Sequence, residues 1–146
     1  MNRVYALILV VALLAPASVI QASEIGTRDE DDQDRRIREA VESQYVRGLQ
    51  IRDFSLIRAI CIEDAKLMGA RDGKLRVTTL EKWSERFDPE NPPFESLVAE
   101  VEKIDRAGTA AQVRIRFVVD STREVTDFLN MVEIEGRWRV VNIIDH

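Results

Sequence analysis

Asp127 is the acidic residue of this 146-residue sequence whose surroundings best suit acid or base chemistry. It lies in a segment with the pattern of β-strands, residues 124–146, which also contributes Leu129, Met131 and Ile144. Burial among apolar side chains disfavours the charged carboxylate and raises its pKa toward neutrality, where proton transfer is most useful. Asp127 is therefore the first candidate for a general acid or base.

The partners of Asp127 follow from a predicted β-hairpin that turns at Glu135-Gly136. Glycine adopts positive φ at little cost, and a two-residue turn fixes the register of the strands on either side. Counted outward from the turn, Asn142 lies diagonally across from Asp127, and His146 lies beyond it. Imidazole titrates near neutrality, so His146 could exchange a proton with Asp127.

Three roles remain open for Asp127. It could form a catalytic pair with His146, or it could act with Asn142 as a polar anchor for a ligand that is otherwise held by apolar contacts. It could instead bind the backbone or an arginine, such as Arg114 or Arg116, and so fix the sheet.

Hydrophobic periodicity predicts three helices before the long strands. An amphipathic helix over about residues 34–50, with Asp34 as its N-cap, carries Tyr45 on its apolar face. Asp53 caps a second helix. A small hairpin with an Asp-Gly turn follows, and Thr78 opens a third helix through a capping box.

From Phe94 onward the pattern is that of β-strands, with a bulge or bend near residues 97–99. This order predicts an α+β domain in which a curved antiparallel sheet forms a cone closed by the N-terminal helices. A cone leaves a pocket at its open end. We expect its lining to be Tyr45, Trp83, Phe87, Asp127, Leu129, Met131, Trp138 and Asn142.

The N-terminal residues predict export. Residues 1–22 have a positive start, an apolar run and a break at Pro16, which is the layout of a secretory signal peptide. The apolar run is shorter than the roughly 20 residues that a spanning helix needs. Residues 23–36 are charged and predict a disordered acidic linker, and residues 37–146 form the domain. We expect a secreted or periplasmic protein with no stable membrane span after cleavage.

Composition excludes several classes of function. The formal net charge of −5 argues against a nucleic-acid partner, which rewards clustered Lys and Arg. Cys61 is the single cysteine, so an internal disulfide is not possible, and its apolar setting predicts a buried thiol. One His and one Cys cannot make an ordinary zinc site, so we expect no metal. No glycine-rich phosphate loop or nucleophile elbow is present, so we expect no cofactor.

Short motifs in a fixed order resemble the nuclear transport factor 2-like fold, also called SnoaL-like or cystatin-like. Within that fold they are most similar to the branch of small bacterial proteins named "putative lumazine-binding". The matching residues are Tyr45 and Gly48, Glu63-Asp64-Ala65, the turn Asp72-Gly73, Thr79, Asp127-Phe128-Leu129, and the run from Gly136 to Val141.

The resemblance implies fold first and activity second, because this fold hosts many functions. In ketosteroid isomerase a carboxylate on the first strand acts as the base, and the position that aligns here is about Gly69, next to Met68. Neither residue can take a proton. A tyrosine of the first helix serves there as an oxyanion donor, and Tyr45 resembles it in position.

Three hypotheses follow from these residues. The leading one is a secreted, non-enzymatic protein that binds a small, partly apolar molecule in the cone. The second is a cofactor-free isomerase, cyclase or hydro-lyase with Asp127 as general base, joined by His146 and Tyr45 as further candidates. The third is an interaction module that forms a homodimer through the outer face of the sheet, where a polar stripe is expected at Gln112, Arg114, Arg116 and Arg139.

Overall fold

The computed structural model describes residues 31–88, 90 and 94–146. Helix α1 occupies residues 31–51 and contains a π-helical turn at Val41–Val46. Helices α2 and α3 are Phe54–Ile60 and Leu80–Ser84. The strands are β1 (Cys61–Arg71), β2 (Lys74–Thr79), β3 (Leu97–Ala107), β4 (Ala110–Val119), β5 (Arg123–Ile134) and β6 (Arg137–Asp145).

The six strands form one sheet in the order β2-β1-β6-β5-β4-β3. Neighbouring strands are antiparallel except β1 and β6, which run parallel. The helices cover one face of the curved sheet, and the buried core lies between the helices and that face. The predicted α+β cone is confirmed.

Helix α1 covers the inner face through residues spaced four apart. Ile37, Val41 and Tyr45 are fully buried, as the amphipathic pattern predicts. Asp34 is not the N-cap, because the helix extends before it and its carboxylate accepts from Arg106 Nε at 3.0 Å. Residues 31–36 of the predicted linker are helical, which corrects the prediction of disorder for them. The predicted signal peptide and residues 23–30 lie outside the described residues.

The predicted N-cap of α2 is confirmed, and the predicted N-cap of α3 is wrong by one residue. Asp53 Oδ1 accepts from the backbone N–H of Ser55 at 2.9 Å, as predicted for the cap of α2. The cap of α3 is Thr79, whose hydroxyl accepts from Lys82 N at 3.2 Å, rather than Thr78. The difference arises because β2 pairs with β1 through Thr79, so the helix begins one residue later.

The predicted hairpin register is correct at the turn and wrong beyond it. Glu133 pairs with Trp138, and Met131 pairs with Val140, as expected. A bulge at Val141 then shifts the pairing by one residue, so that Asn130 faces Asn142 and Asp127 faces Asp145. Because side chains alternate along a strand, every residue of β6 after the bulge points to the opposite face from the one predicted.

A second bulge lies in β3, later than predicted. The register shifts between Val101 and Lys103, whereas the sequence indicated residues 97–99. The extra residue is Glu102, whose carboxylate forms ion pairs on the outer face with Arg114 at 3.0 Å and Arg116 at 3.3 Å. Counted from the inward-facing Val101, simple alternation would turn Lys103 toward the core and Ile104 away from it. The bulge instead places Lys103 opposite Arg114 on the outer face and Ile104 opposite the buried Val113.

Candidate functional site

A tyrosine–aspartate pair lies inside the cone. The hydroxyl of Tyr45 donates to Asp127 Oδ2 at 2.7 Å, and both residues are buried. Tyr45 belongs to the π-helical turn of α1, a distortion that is frequent at functional sites. Asp127 comes from the middle of β5, so the pair joins the first helix to the centre of the sheet.

Burial controls the ionisation of both members of the pair. Desolvation raises the pKa of Asp127 to about 6, although the hydrogen bond from Tyr45 opposes the shift and the negative charge of Asp145 adds to it. Desolvation and the nearby carboxylate also raise the pKa of Tyr45 well above its ordinary value. Asp127 can therefore change its protonation state near neutral pH, while the tyrosine remains a hydrogen-bond donor.

Asp127 belongs to a row of residues that crosses the inner face of the whole sheet. Cross-strand pairing places one residue of every strand in this row. From β3 to β2, the row consists of two apolar residues, two aspartates, a glycine and an arginine. They are Val101, Ile115, Asp127, Asp145, Gly69 and Arg76. The polarity of the interior therefore changes along a single line from β3 to β2.

Asp145 occupies the place that a side chain at position 69 would fill. A Cβ atom added to Gly69 would overlap Asp145 Oδ1 and would lie 3.1 Å from its Cγ. The parallel pairing of β1 with β6 brings these two residues together. Position 69 is where the resemblance to ketosteroid isomerase expected a carboxylate, and here a carboxylate reaches that place from the neighbouring strand.

An open pocket of about 280 Å³ lies beside Gly69 and Asp145. Three arginines line it: Arg71 at the end of β1, Arg76 in β2, and Arg86 in the turn after α3. The remaining lining comes from the edge of the sheet: Leu67, Ala70, Val77 and Thr78. We name this space the mouth pocket.

The mouth pocket has an apolar neighbour. A smaller recess of about 150 Å³ shares Arg86 with it and is otherwise lined by Leu49, Arg52, Trp83, Phe87 and Phe94. Arg86 therefore stands between a polar space and an apolar one, and its backbone N–H donates to Trp83 O at 3.0 Å.

Residues 32–144 match the model of the protein family described as "Putative lumazine-binding". The chain belongs to this family. No curated protein matches it at a significant level. Solved structures agree on the fold: an NTF2-like protein of unknown function from Shewanella baltica OS155 is 30% identical, with a TM-score of 0.70 over 79% of this chain and 93% of that one.

More distant structures show the fold alone. A ketosteroid isomerase-like protein from Erwinia carotovora atroseptica SCRI1043 is 15% identical, with a TM-score of 0.56 over 75% of this chain and 92% of that one. A protein of unknown function with a cystatin-like fold from Nostoc punctiforme PCC 73102 is 14% identical, with a TM-score of 0.57 over 77% and 88% of the two chains. The predicted resemblance to this superfamily is confirmed.

In this member of the family, the deeper residues predicted to line the pocket contact one another. The ring of Tyr45 lies 6.3 Å from that of Trp83, and Phe54 forms edge contacts with Trp83 and Phe87 at 5.4 and 4.9 Å. Leu129 and Met131 are buried in the same core. The apolar recess is lined in part by Phe87 and Trp83. The structure therefore brings five of the predicted lining residues into the same part of the fold as Asp127: Tyr45, Trp83, Phe87, Leu129 and Met131.

The other predicted site residues lie elsewhere in this family member. Trp138 is at the opposite end of the sheet, where its Nε1 donates to Gln33 at 3.2 Å. The Val141 bulge turns Asn142 to the outer face, where it accepts from Asn130 at 2.6 Å. His146 pairs with Thr126 through its backbone and is exposed, so the predicted pairing of Asp127 with Asn142 and His146 is wrong.

Asp145, Gly69 and the three mouth arginines were missed by reasoning from the sequence. The register counted outward from Gly136 without a bulge turns Asp145 to the outer face, because the bulge cannot be read from alternation. The resemblance to ketosteroid isomerase treats Gly69 only as a position that lacks the expected carboxylate. A glycine in the interior of a strand also signals the close approach of another group. Among the described residues, no group of three or more His, Cys, Asp or Glu side chains could hold a metal ion.

Cys61 is a buried thiol, as predicted. Burial raises its pKa to about 12, which keeps the thiol protonated and unreactive. The backbone carbonyl oxygen of Cys61 accepts a hydrogen bond from the side chain of Arg139 at 3.0 Å. Arg139 thus binds the start of β1 rather than the other residues of the expected polar stripe.

Proposed function

We propose that this member of the family binds a small molecule in the mouth pocket, with Asp145 on the inner side of its lining and the Asp127–Tyr45 pair one strand further into the core. The observation that carries the proposal is the open pocket beside Gly69 and Asp145, which polar residues from four elements line together. Concave sites with a few convergent polar groups are the usual form of small-molecule sites.

The size and setting of the pocket support a compact ligand. A volume of about 280 Å³ lies near the lower end of the range for small-molecule sites. The apolar recess beside Arg86 would accept the less polar part of the molecule. The name of the family refers to lumazine, a flat heterocycle of compatible size, and it supports a ligand-binding role without identifying the ligand.

Native mass spectrometry of the protein purified from its own host, without refolding, tests this proposal. We expect a bound small molecule in the wild-type protein and its loss in Gly69→Ala. The added methyl group displaces the carboxylate of Asp145, which is the far end of a flexible side chain, so the fold should survive while the pocket narrows.

Val98→Ala is the matched control, because Val98 is 65% exposed on the outer face of β3. It shortens a side chain by two carbon atoms far from the pocket and should retain the bound molecule. Retention of the same molecule by a folded Gly69→Ala protein would contradict the proposed site. Circular dichroism of both variants would establish that they are folded.

A catalytic role is the second candidate, and the raised pKa of Asp127 favours it. A carboxylate with a pKa of about 6, beside a tyrosine that donates a hydrogen bond, can accept and return a proton near neutral pH. Such an enzyme would be a cofactor-free isomerase, cyclase or hydro-lyase. Loss of turnover in Asp127→Asn with ligand binding intact would distinguish this function from binding alone.

An interaction module through the outer face of the sheet is the third candidate, and it rests on a different part of that face from the polar stripe. A row of apolar side chains crosses four strands of the outer face: Phe128, Ile144, Met68 and Val77. Val77 is 53% exposed and Ile144 is 40% exposed, which is unusual for neighbouring apolar residues. A homodimer would bury this row, and the same mass spectrum would report it as a doubled mass.

We also propose that the protein is exported. The support is the signal-peptide pattern of residues 1–22, and cleavage after Ala22 would leave an N-terminus at Ser23. Within the described part of the chain, no helix is long and apolar enough to cross a membrane. N-terminal sequencing of the protein from a periplasmic or culture fraction tests the proposal, and an N-terminus at Met1 would contradict it.

A further inference from the structure

We infer that the molecule in the mouth pocket carries an oxyanion group, a carboxylate or a phosphate, at one end and a hydrogen-bond donor at the other. The inference rests on the proposed function and names the chemical class of its ligand. It follows from an uneven distribution of charge around the pocket, in which three arginines line the rim and Asp145 lines the inner side.

The rim carries three arginines that form no ion pair within the described part of the chain. No carboxylate among the described residues lies within 4.0 Å of a guanidinium nitrogen of Arg71, Arg76 or Arg86. They come from three different elements and face one space. Guanidinium groups match the planar, two-pronged geometry of carboxylates and phosphates better than any other side chain.

The gathering of three such arginines at one space is what distinguishes the mouth pocket. Arg47 and Arg123 also form no ion pair among the described residues, but they lie outside the lining of the pocket. On the outer face of the same sheet, in contrast, Arg114 pairs with Glu102, and Arg116 contacts Glu100 at 2.7 Å and Glu124 at 3.2 Å. Three positive charges around one open space favour a ligand that carries a negative charge.

The inner side of the pocket requires the opposite chemistry. Asp145 Oδ1 lies over Gly69, and the carboxylate of Asp127 lies one strand further inside. Ionised carboxylates only accept hydrogen bonds, so the inner end of the ligand must donate. Arg76 and Asp127 are three strands apart, a distance of about 14 Å between Cα atoms at the usual spacing of strands.

The arginine and aspartate side chains reduce that span to the length of one small ring with a substituent at each end. An amine or ring N–H would bind Asp145, and the oxyanion would bind the rim arginines. The order of charges along the row of paired residues thus fixes the orientation of the ligand. The negative end of the row lies inside the cone, and its positive end lies at the edge strand β2.

Three probes of one shape test the inference by two-dimensional NMR titration of the wild-type protein. They are 4-aminobenzoate, 4-aminophenyl phosphate and 4-aminobenzamide, which share a ring and an amine and differ in the charge of the other end. We expect the two anions to shift the amide resonance of Gly69 and to bind at least about tenfold more tightly than the neutral amide, because each charge-assisted hydrogen bond is strong. The tighter of the two anions would distinguish a carboxylate ligand from a phosphate ligand.

Arg71→Gln/Arg76→Gln should abolish this preference for the anions, and Arg47→Gln/Arg123→Gln is its control. Both double variants remove two positive charges, and Arg47 and Arg123 are exposed residues outside the lining of the mouth pocket. An unchanged preference in the rim variant, or an equal loss in the control, would overturn the inference.

The failure of this inference can be told apart from failure of the proposed function. If the neutral amide binds as tightly as the anions, and Gly69→Ala weakens all three, the pocket binds small molecules but the assigned class is wrong. If no probe binds at 10 mM (roughly the weakest affinity that fragments of this size show) the inference is overturned. If the protein from its host also carries no molecule, the proposed function fails with it.

Discussion

Asp127→Asn is expected to be at least as stable as the wild-type protein at pH 7 and to lose most of the dependence of stability on pH between pH 4 and 7. The pKa of Asp127 is raised from 3.8 to about 6 in the folded protein. Between these values the folded state binds more protons than the unfolded state, so the free energy of unfolding falls as the pH rises. Two units of pKa correspond to up to about 3 kcal/mol.

Asparagine imitates the protonated carboxyl group and avoids this loss. Its side-chain oxygen can still accept the hydrogen bond from Tyr45, so the tyrosine is not left without a partner. Urea unfolding at pH 4, 5.5 and 7 measures the effect. Asp64→Asn is the control, because Asp64 is an exposed carboxylate of β1. Equal pH dependence in wild type and Asp127→Asn would show that Asp127 is ionised in the folded protein over this whole range.

Trp83→Ala is expected to lower the free energy of unfolding by about 3–5 kcal/mol, the usual loss for a large aromatic residue of the core. Trp83 is 8% exposed and forms ring contacts with Tyr45, Phe54 and Phe87. With Leu80, it holds the short helix α3 against the rest of the core, and its removal leaves a cavity that one helical turn cannot close.

Leu75→Ala provides the contrast for Trp83→Ala. Leu75 is 68% exposed on β2, and its truncation should change stability by less than about 0.5 kcal/mol. Thermal and urea unfolding of both variants at the same pH measures the difference. A loss below about 1 kcal/mol in Trp83→Ala would mean that α3 is not part of the cooperative core.

Local chemistry made much of this fold predictable. Gly136 set the register of the last hairpin, Asp53 set the start of α2, and alternation identified β4 without error, because each of these signals acts over a few neighbouring residues. The pair of Tyr45 and Asp127 was predicted only as two separate candidates, since they lie 82 positions apart and meet through the fold.

The rest of the site depends on features that leave no local signal. The bulge at Val141 inserts one residue into an otherwise regular strand, and nothing in its apolar side chain distinguishes it from its neighbours. Because of that one residue, Asp145 lies on the inner face, where Asn142 and His146 were expected. The contact of Asp145 with Gly69 arises from a parallel pairing between distant segments, which turn chemistry cannot predict.

The position of β6 has a consequence for the order in which the protein can fold. The hairpin of β1 and β2 and the meander of β3, β4 and β5 are joined within the sheet through β6 alone. Because β6 follows the other five strands in the sequence, a nascent chain cannot complete the sheet until this strand has left the ribosome. The pairing of Leu67 with Ile143 also spans a long stretch of chain, and such contacts form slowly. Assembly of the cone is therefore expected to be a late event in folding.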